Sequence, residues 1–372
     1  MKVIFRPREI AIMIVAFLLI GMLRYVTFHA DVFNPIARGL KGFSTTDLFY
    51  QMMLSAPRDT SDNIVIVDIT RLHDRDDIAS VLEEIDSLGP SAIDVDVIFE
   101  RPMDKEGDEH LQEVARKMRN AVFSFRMMDY EEERNEYTQQ SHSFFAKKME
   151  LTEGFVNVDH QMTRDIPLYL TMGDKTYSSV ITQMMRIIQE EPPIEQKSRK
   201  IDYTPTVFRT ISYDSIQHYG DLIRDHVVMF GGAQESIDML YTPLKQMHGI
   251  EVLCYALKTM IEEKDQTNFT GIIFWILTIL FSYLGVCLIT AYKDKTASMT
   301  NDKLLTDIMR TIFITSIVIF LLMGAFMFIA FLFFVTWNIN FDLTPTLSVM
   351  ALTTTAKDIV CITIKHATMK KH

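Results

Sequence analysis

Two carboxylates one residue apart, Asp94 and Asp96, stand in the apolar run Ala92–Phe99 (AIDVDVIF). Alternate residues of a strand share one face. Two carboxylates on one face can hold a hard cation, and above Mg²⁺ such a pair can act as nucleophile and acid in phosphoryl transfer. Two features weigh against that chemistry. The run stays apolar to Phe99, which places the pair inside a strand, and Ile98 stands where such phosphatases carry a threonine. No matching lysine motif follows. Structural or ligand-binding carboxylates are the simpler reading. Gly231-Gly232 follows an apolar run, but without the spacing of a phosphate-binding loop it reads as a tight turn. His73, His142, His160 and His248 are scattered and form no zinc pattern, so each reads as a surface or loop residue. Ser178-Ser179 lacks the frame of a nucleophile elbow. The spacing identifies no enzyme, no metal site and no cofactor.

Alternating strands and helices must position these residues. Asn63–Ile69 (NIVIVDI) is a β-branched run suited to a buried strand. Asp77–Leu88 has its apolar residues on one helical face and stops at Gly89-Pro90. With Ala92–Phe99 as a second strand, this makes a β-α-β unit and predicts a parallel pair. Asp108–Met118 is a second amphipathic helix and Ala121–Arg126 a third strand. Asp129–Gln140 is acidic and reads as a solvated loop. Gly154–Val158 has turn character, Tyr177–Gln189 is helical, and Glu190–Lys200 is a linker. Ile201–Ile211 suggests edge strands and Asp214–Tyr219 a short helix. His226–Phe230 is a last apolar strand, and His248–Glu262 a closing helix. This alternation predicts a three-layer α/β domain around a mostly parallel sheet.

The domain is set between apolar segments. Ile10–Phe28 precedes it, and Gly271–Tyr292, Thr311–Val335 and Phe341–Ile364 follow. Segments of roughly 18 apolar residues or more can cross a bilayer as helices. Ile10–Phe28 has the basic start and apolar core of a signal peptide, but its length and the lack of a small-residue cleavage site favour an anchor. Lys357 and Asp358 are costly inside the fourth segment; Lys357 can snorkel, and Asp358 can pair or face other helices. Basic residues flank four ends: Lys2, Arg6 and Arg8; Lys293 and Lys295; Lys303 and Arg310; Lys365, Lys370 and Lys371. The link Trp337–Asp342 has none. The positive-inside rule then gives four spans, both termini cytoplasmic and the domain outside, in an inner membrane. The expected divisions are an anchor over 1–29, an extracytoplasmic domain over 30–268 and a three-helix bundle over 269–372. The net charge of −11 excludes a basic nucleic-acid face. Of the three cysteines, only Cys254 lies in the domain, so it folds without an internal disulfide.

Taken in order, the pieces of the domain resemble the CHASE domain of class two, the extracellular sensor of bacterial signalling receptors. NIVIVDIT at Asn63–Thr70 is similar to its first strand, and Arg75 matches an arginine before its first helix. LGPSAIDVDVIFE at Leu88–Glu100 is similar to a strand whose family aspartate falls on Asp96. GFVNVDHQMTRDIPL at Gly154–Leu168 resembles the segment with a Gly-Phe-x-Asn start and an Arg-x-x-Pro-Leu end. MFGGAQESIDMLYTPL at Met229–Leu244 and HGIEV at His248–Val252 resemble the most distinctive block, with Asp238, Thr242-Pro243, Gly249 and Glu251. The family's usual one span before and three after also agrees. The sequence departs at Thr70-Arg71, where the family's first strand ends Ile-Asp-Glu. The approach to the helix is shortened to Arg71–Arg75, and Asp165 is atypical.

The resemblance implies a sensor whose ligand candidates are Asp68, Arg75, Asp96, Arg164 and Asp238. It implies an unknown extracytoplasmic ligand, either a small molecule or an envelope component. The family's cytoplasmic output domain has no counterpart here, so a separate cytoplasmic or membrane output protein is expected. A homodimer or a heteromeric complex would form through the C-terminal helices. A competing reading makes Asp96, Arg164 and Asp238 a buried ion network. Two other functions compete with sensing: a structural or assembly subunit of a membrane complex, and an extracytoplasmic metal-dependent phosphatase at Asp94 and Asp96.

Overall fold

A computed structural model describes residues 6–29, 45–54, 58–131, 134, 136–158, 162–189, 197–234, 238–262, 267–268, 271–298, 312–337 and 339–369. The chain forms two compact units. One is Tyr50–Asp265, and the other combines Met1–Phe49 with Gln266–His372.

The first unit is built on a mixed sheet. Its strands are β1 (Asp59–Asp68), β2 (Ala92–Val95), β3 (Ala121–Glu131), β4 (Glu136–Ser141), β5 (Glu153–Phe155), β10 (Thr206–Ser212) and β11 (Val227–Gly231), in the order β10-β1-β11-β2-β3-β4, with β5 also on β3. Every pairing is parallel except that of β3 with β4. β1 and β2 are parallel, as the β-α-β pattern predicts, but they are not neighbours. β11 lies between them, pairing Val67 with Phe230 on one side and Phe230 with Val95 on the other. Its residues Val227–Gly231 are all buried, which suits a strand covered on both faces.

Helices cover both faces. α3 (Arg75–Ser87) and α4 (Lys105–Lys117) pack on one side. Their Ile78, Leu82, Ile85, Leu111 and Val114 meet Val65, Val67, Ile93, Val95, Val228 and Phe230 of the sheet. These strand residues alternate with others facing the opposite layer, as the pleat requires. That layer holds α5 (Val180–Gln189), against β2 and β3, and α6 (Gly249–Ile261), against β1 and β11. Burying each large aliphatic side chain contributes about 1.5–3 kcal/mol. Local signals set the helix ends. Asp74 accepts from the Asp76 and Asp77 backbone N–H groups at the start of α3, and Asp104 accepts from Gly107 in α4. Gly89, at φ +75°, ends the chain's run through α3.

Four sequence expectations need correction. The second strand stops at Val95, not Phe99, because Asp96–Phe99 leave the sheet to form a loop. Asp129–Gln140 is not a loop throughout: β3 runs to Glu131 and turns into β4, pairing Met127 with Gln140 and Tyr130 with Tyr137. Exposed hairpin strands can be polar on both faces, so their composition resembles that of a loop. Gly154 belongs to β5, and Tyr177 to β8 (Lys175–Ser178), which pairs with β7 (Tyr169–Met172) ahead of α5. β6 (Asp165–Pro167) and β9 (Ser198–Lys200) form a second small antiparallel pair.

The second unit contains α1 (Pro7–His29), the first residues of α2 (Thr45–Met53), α7 (Gly271–Ser298), α8 (Ile312–Trp337) and α9 (Thr344–Met369). α7, α8 and α9 are long and apolar enough to cross a membrane. α1 packs on α9 and α7. Ile12, Ala16, Tyr283, Val286, Val349 and Ala356 form their shared core. Gly285 permits close contact: a Cβ there would lie 2.7 Å from Met350 Cγ. One carboxylate of α7 draws cations from two other helices. Asp294 lies 2.9 Å from Arg8 and 2.8 Å from Lys357.

Candidate functional site

The carboxyl ends of the parallel strands open onto one cavity of about 920 Å³. Ligands in open α/β sheets gather at this edge, where the strands release their loops. After β1 come Ile69, Leu72 and His73; after β2, Asp96–Phe99, Glu100 and Met103; after β5, Val156–Val158. Gly232, Asp238, Leu240 and the α6 residues Gly249 and Leu253 complete the other side, and Arg126 of β3 also lines it. Apolar walls with a few convergent polar groups are usual in small-molecule sites.

Asp96 is the first residue beyond β2, half-buried on the cavity wall. Its backbone N–H donates to Phe230 O at 2.9 Å, tying it to β11. Gly231 allows this approach, since a Cβ there would lie 3.1 Å from Asp96 Cβ and 3.0 Å from Ile250 Cδ1. Asp238 is exposed and stands at the start of α6. Gly249 donates its N–H to Asp238 O at 3.0 Å. A Cβ on Gly249 would collide with the Asp238 carboxylate, so glycine is what lets that carboxylate approach the positive end of the helix. Glu251 caps the same turn, accepting from the His248 N–H at 3.3 Å.

The other candidates have different settings. Arg75 reaches the cavity wall, but its guanidinium is already engaged. It donates to Asp108 at 2.7 Å and to Arg101 O at 2.5 Å, and lies 5.2 Å and 5.4 Å from the Phe99 and Phe144 ring centres. Arg75 and Asp108 are both buried, so the pair ties the first turns of α3 and α4 to the loop after β2. Asp68 is not among the described cavity residues. It braces the turn after β11 instead, accepting from Ala233 N at 3.0 Å, Thr70 Oγ1 at 2.6 Å and Gln234 Nε2 at 2.8 Å. Burial pushes its pKa up, but hydrogen bonds from the Thr70 hydroxyl, the Ala233 and Thr70 backbone and Gln234 together hold it below the ordinary carboxylate value. Arg164 is half-buried and also not among the described lining residues; its backbone O accepts from Ile201 N at 2.9 Å. The cavity thus brings together Arg75, Asp96 and Asp238.

Asp94 does not line the cavity. It is wholly buried, with Ser124 Oγ at 3.5 Å from Oδ1 and no hydrogen-bond partner at Oδ2. Burial first, and the neighbouring Asp96 carboxylate second, push its pKa well above the ordinary range, against a lowering by Ser124. A carboxyl held this way is a poor nucleophile or cation ligand. Cys254 is likewise wholly buried, and burial followed by the carboxylates of Asp94, Glu251 and Asp96 pushes its thiol up.

Sequence reasoning missed three cavity residues: Glu100, Arg126 and Asn157. Glu100 accepts from the Ser141 hydroxyl of β4, a contact that exists only because of the hairpin. Asn157 had a signal, since it is the Asn of the Gly-Phe-x-Asn segment. Its Oδ1 accepts from Met127 N and its Nδ2 donates to Met127 O, each at 2.8 Å, replacing a strand partner beyond the end of β5. His142 is not simply a surface residue. It stacks on Phe125 with ring centres 4.6 Å apart and meets Glu153 at 2.9 Å.

The chain thus joins an α/β domain, with a cavity at the ends of its strands, to long apolar helices. A family model of the CHASE2 domain matches residues 13–289, from within α1 into α7. The chain belongs to the CHASE2 domain family, a family of extracellular sensor domains. No curated protein and no solved structure matches it.

Proposed function

We propose that this protein is a multi-pass membrane receptor subunit that binds a small molecule in the cavity at the strand ends. The observation that supports this most directly is the cavity itself. Its volume of about 920 Å³ falls in the range of small-molecule sites, and its polar groups come from loops after separate strands. An envelope component would more naturally need a broad exposed face. Asp96 and Asp238 are the ligand contacts in this reading. Arg75 shapes the wall while its charge serves Asp108, and Asp68 and Arg164 support surrounding loops.

The proposed topology has four spans, α1, α7, α8 and α9. Both termini and residues Lys293–Met309 are cytoplasmic, and Ala30–Asn268 faces the periplasm or exterior. The basic flanks support this orientation, as does the family's extracellular role. Ligand binding would favour one of two packings of the helices and pass that preference to a separate output protein.

The test is a thermal-shift screen of the intact protein in lipid discs against small-molecule collections, repeated with Asp96→Asn and Asp238→Asn. A ligand that raises the melting temperature of the parent, and loses its effect in both variants while each stays folded, supports the site. Ligands that bind both variants with unchanged affinity would place the site elsewhere. No binder at all, with the protein essential to assembly of a membrane complex, would favour the assembly role.

A further inference from the structure

The cavity at the strand ends holds charges of both signs that the fold does not pair. Arg126 is exposed on its wall, and the guanidinium makes no hydrogen bond, ion pair or ring contact with any described residue. Asp238 is exposed on the same cavity, and its carboxylate has no such partner among the described residues either. The other charges differ. Arg75 is answered by Asp108, and Glu100 accepts from the Ser141 hydroxyl. Asp96 adds a carboxylate beside that of Asp238, because both border the first turn of α6. A Cβ on Gly231 would lie 3.1 Å from Asp96 Cβ and 3.0 Å from Ile250 Cδ1, and one on Gly249 would collide with the Asp238 carboxylate.

The two signs are held apart by the sheet. α6 packs on β1 and β11, whereas Arg126 belongs to β3, opposite Ser141 of β4. The strand order β11-β2-β3 separates them by two strands, roughly 10 Å at the usual spacing. The loop after β2 lies between, and there Val97 lines the cavity. Its backbone N–H and C=O make no hydrogen bond with any described residue, which leaves them to water or to a ligand. A simple anion at Arg126 would face the carboxylates of Asp96, Glu100 and Asp238. A simple cation at Asp238 would leave Arg126 unanswered. A ligand with an ammonium at one end and a carboxylate at the other answers both. A single amino acid carries these groups on one carbon and cannot reach across. An extended chain spans about 3.3–3.6 Å per residue, so two or three residues match the separation.

We propose that the cavity takes a short peptide of two or three residues with free ends, its ammonium held by Asp96 and Asp238 and its carboxylate by Arg126. The peptide's own N–H and C=O groups supply partners for the Val97 backbone, as in recognition by strand addition. Its side chains meet the apolar wall of Ile98, Leu240 and Leu253, and a volume of about 920 Å³ leaves room for them. This rests on the reading of the cavity as the ligand site and adds the class of ligand.

The test screens the full chain in lipid discs, by thermal shift, against pools that cover all di- and tripeptides with free ends. Each binder is then titrated beside its N-acetylated and C-amidated forms. Binders are expected, and blocking either end should weaken them by roughly 10- to 100-fold, as when a charge-assisted bond is lost. Asp238→Asn should remove most of the penalty for acetylation and leave that for amidation. Arg126→Gln should do the reverse. A residue that only shaped the fold would weaken all three forms alike. Both side chains are exposed, so the unliganded variants should melt with the parent, which checks that they fold. Four results would overturn the proposal: no pool binds, blocked peptides bind as well as free ones, the variants weaken every form equally, or single amino acids bind as tightly as peptides. A non-peptide ligand whose effect is lost in Asp96→Asn and Asp238→Asn would keep the cavity reading and end this one. Peptides that bind the parent and every cavity variant alike would end both.

Discussion

Arg75 shows how a residue can match a family position while its charge is spent on the fold. Its guanidinium has Asp108, a backbone carbonyl and two aromatic faces for company. Arg75→Ala leaves the buried Asp108 carboxylate without its cation, which typically costs about 3–5 kcal/mol. Chemical denaturation of the Tyr50–Asp265 unit should show a loss of that order, and Arg75→Lys should recover only part of it, because an ammonium cannot bond and stack as a fork does. A variant as stable as the parent would return Arg75 to the ligand candidates. The two buried aspartates at the strand ends predict opposite responses to pH. The Asp68 pKa is lowered in the fold, so its contribution is complete above the unfolded value of about 3.9 and is lost as pH falls through the folded value. The Asp94 pKa is raised, so its contribution is complete below the unfolded value and is lost as pH rises through the folded one. Asp68→Asn should therefore flatten the acid limb of a stability–pH profile, and Asp94→Asn the limb on its alkaline side. An unchanged profile in either variant would contradict the environment described for that carboxyl.

At the scale of elements, the packing of β5 against α5 gives the sharpest test. A Cβ on Gly154 would collide with the backbone of Val180 and lie 2.8 Å from the Ser179 carbonyl carbon. Backbone cannot swing aside as a flexible side chain can, so Gly154→Ala should destabilise the Tyr50–Asp265 unit by about 1–3 kcal/mol, the usual cost of overpacking. A neutral substitution would mean that this contact is looser than described. Which elements could be read from the sequence follows from burial. β1, β11, α3, α4 and α6 bury one or both faces, and this imposes an apolar period that sequence displays directly. The β3–β4 hairpin is half exposed, so Tyr130, Glu131 and Glu136 read as loop. The length of β2 was misjudged for a related reason: Val97 and Phe99 remain apolar, but they line a cavity and pack on α3 rather than continue the sheet. The site was legible where its residues fall in family segments, as with Asp96 and Asp238. It was not legible at Arg126 and Glu100, which reach the cavity through strand pairings that no local pattern announces.

For the whole molecule, orientation is the property on which the proposed function depends. Reporters of periplasmic and cytoplasmic location fused at Asp62, Ser298 and His372 should give an outside signal at the first and inside signals at the other two. The basic residues near each inner end motivate this expectation. A cytoplasmic signal at Asp62 would remove the extracytoplasmic ligand from the account, whatever the cavity binds.

The placement of β11 also has a consequence in time. Val227–Gly231 joins β1 to β2 at the middle of the sheet, yet it is the last of the sheet's strands to be synthesised. Until it arrives, β1 with β10 and β2 with β3 are separate fragments, each with an open apolar edge. Contacts so distant along the chain are slow to form, and unpaired edges are prone to stick to other chains in the interval. The cavity draws Ile69 from one fragment and Asp96 from the other, so it cannot exist in the nascent protein before this closure. A chain stalled ahead of His226 should therefore be a client of chaperones and proteases rather than a weakened receptor.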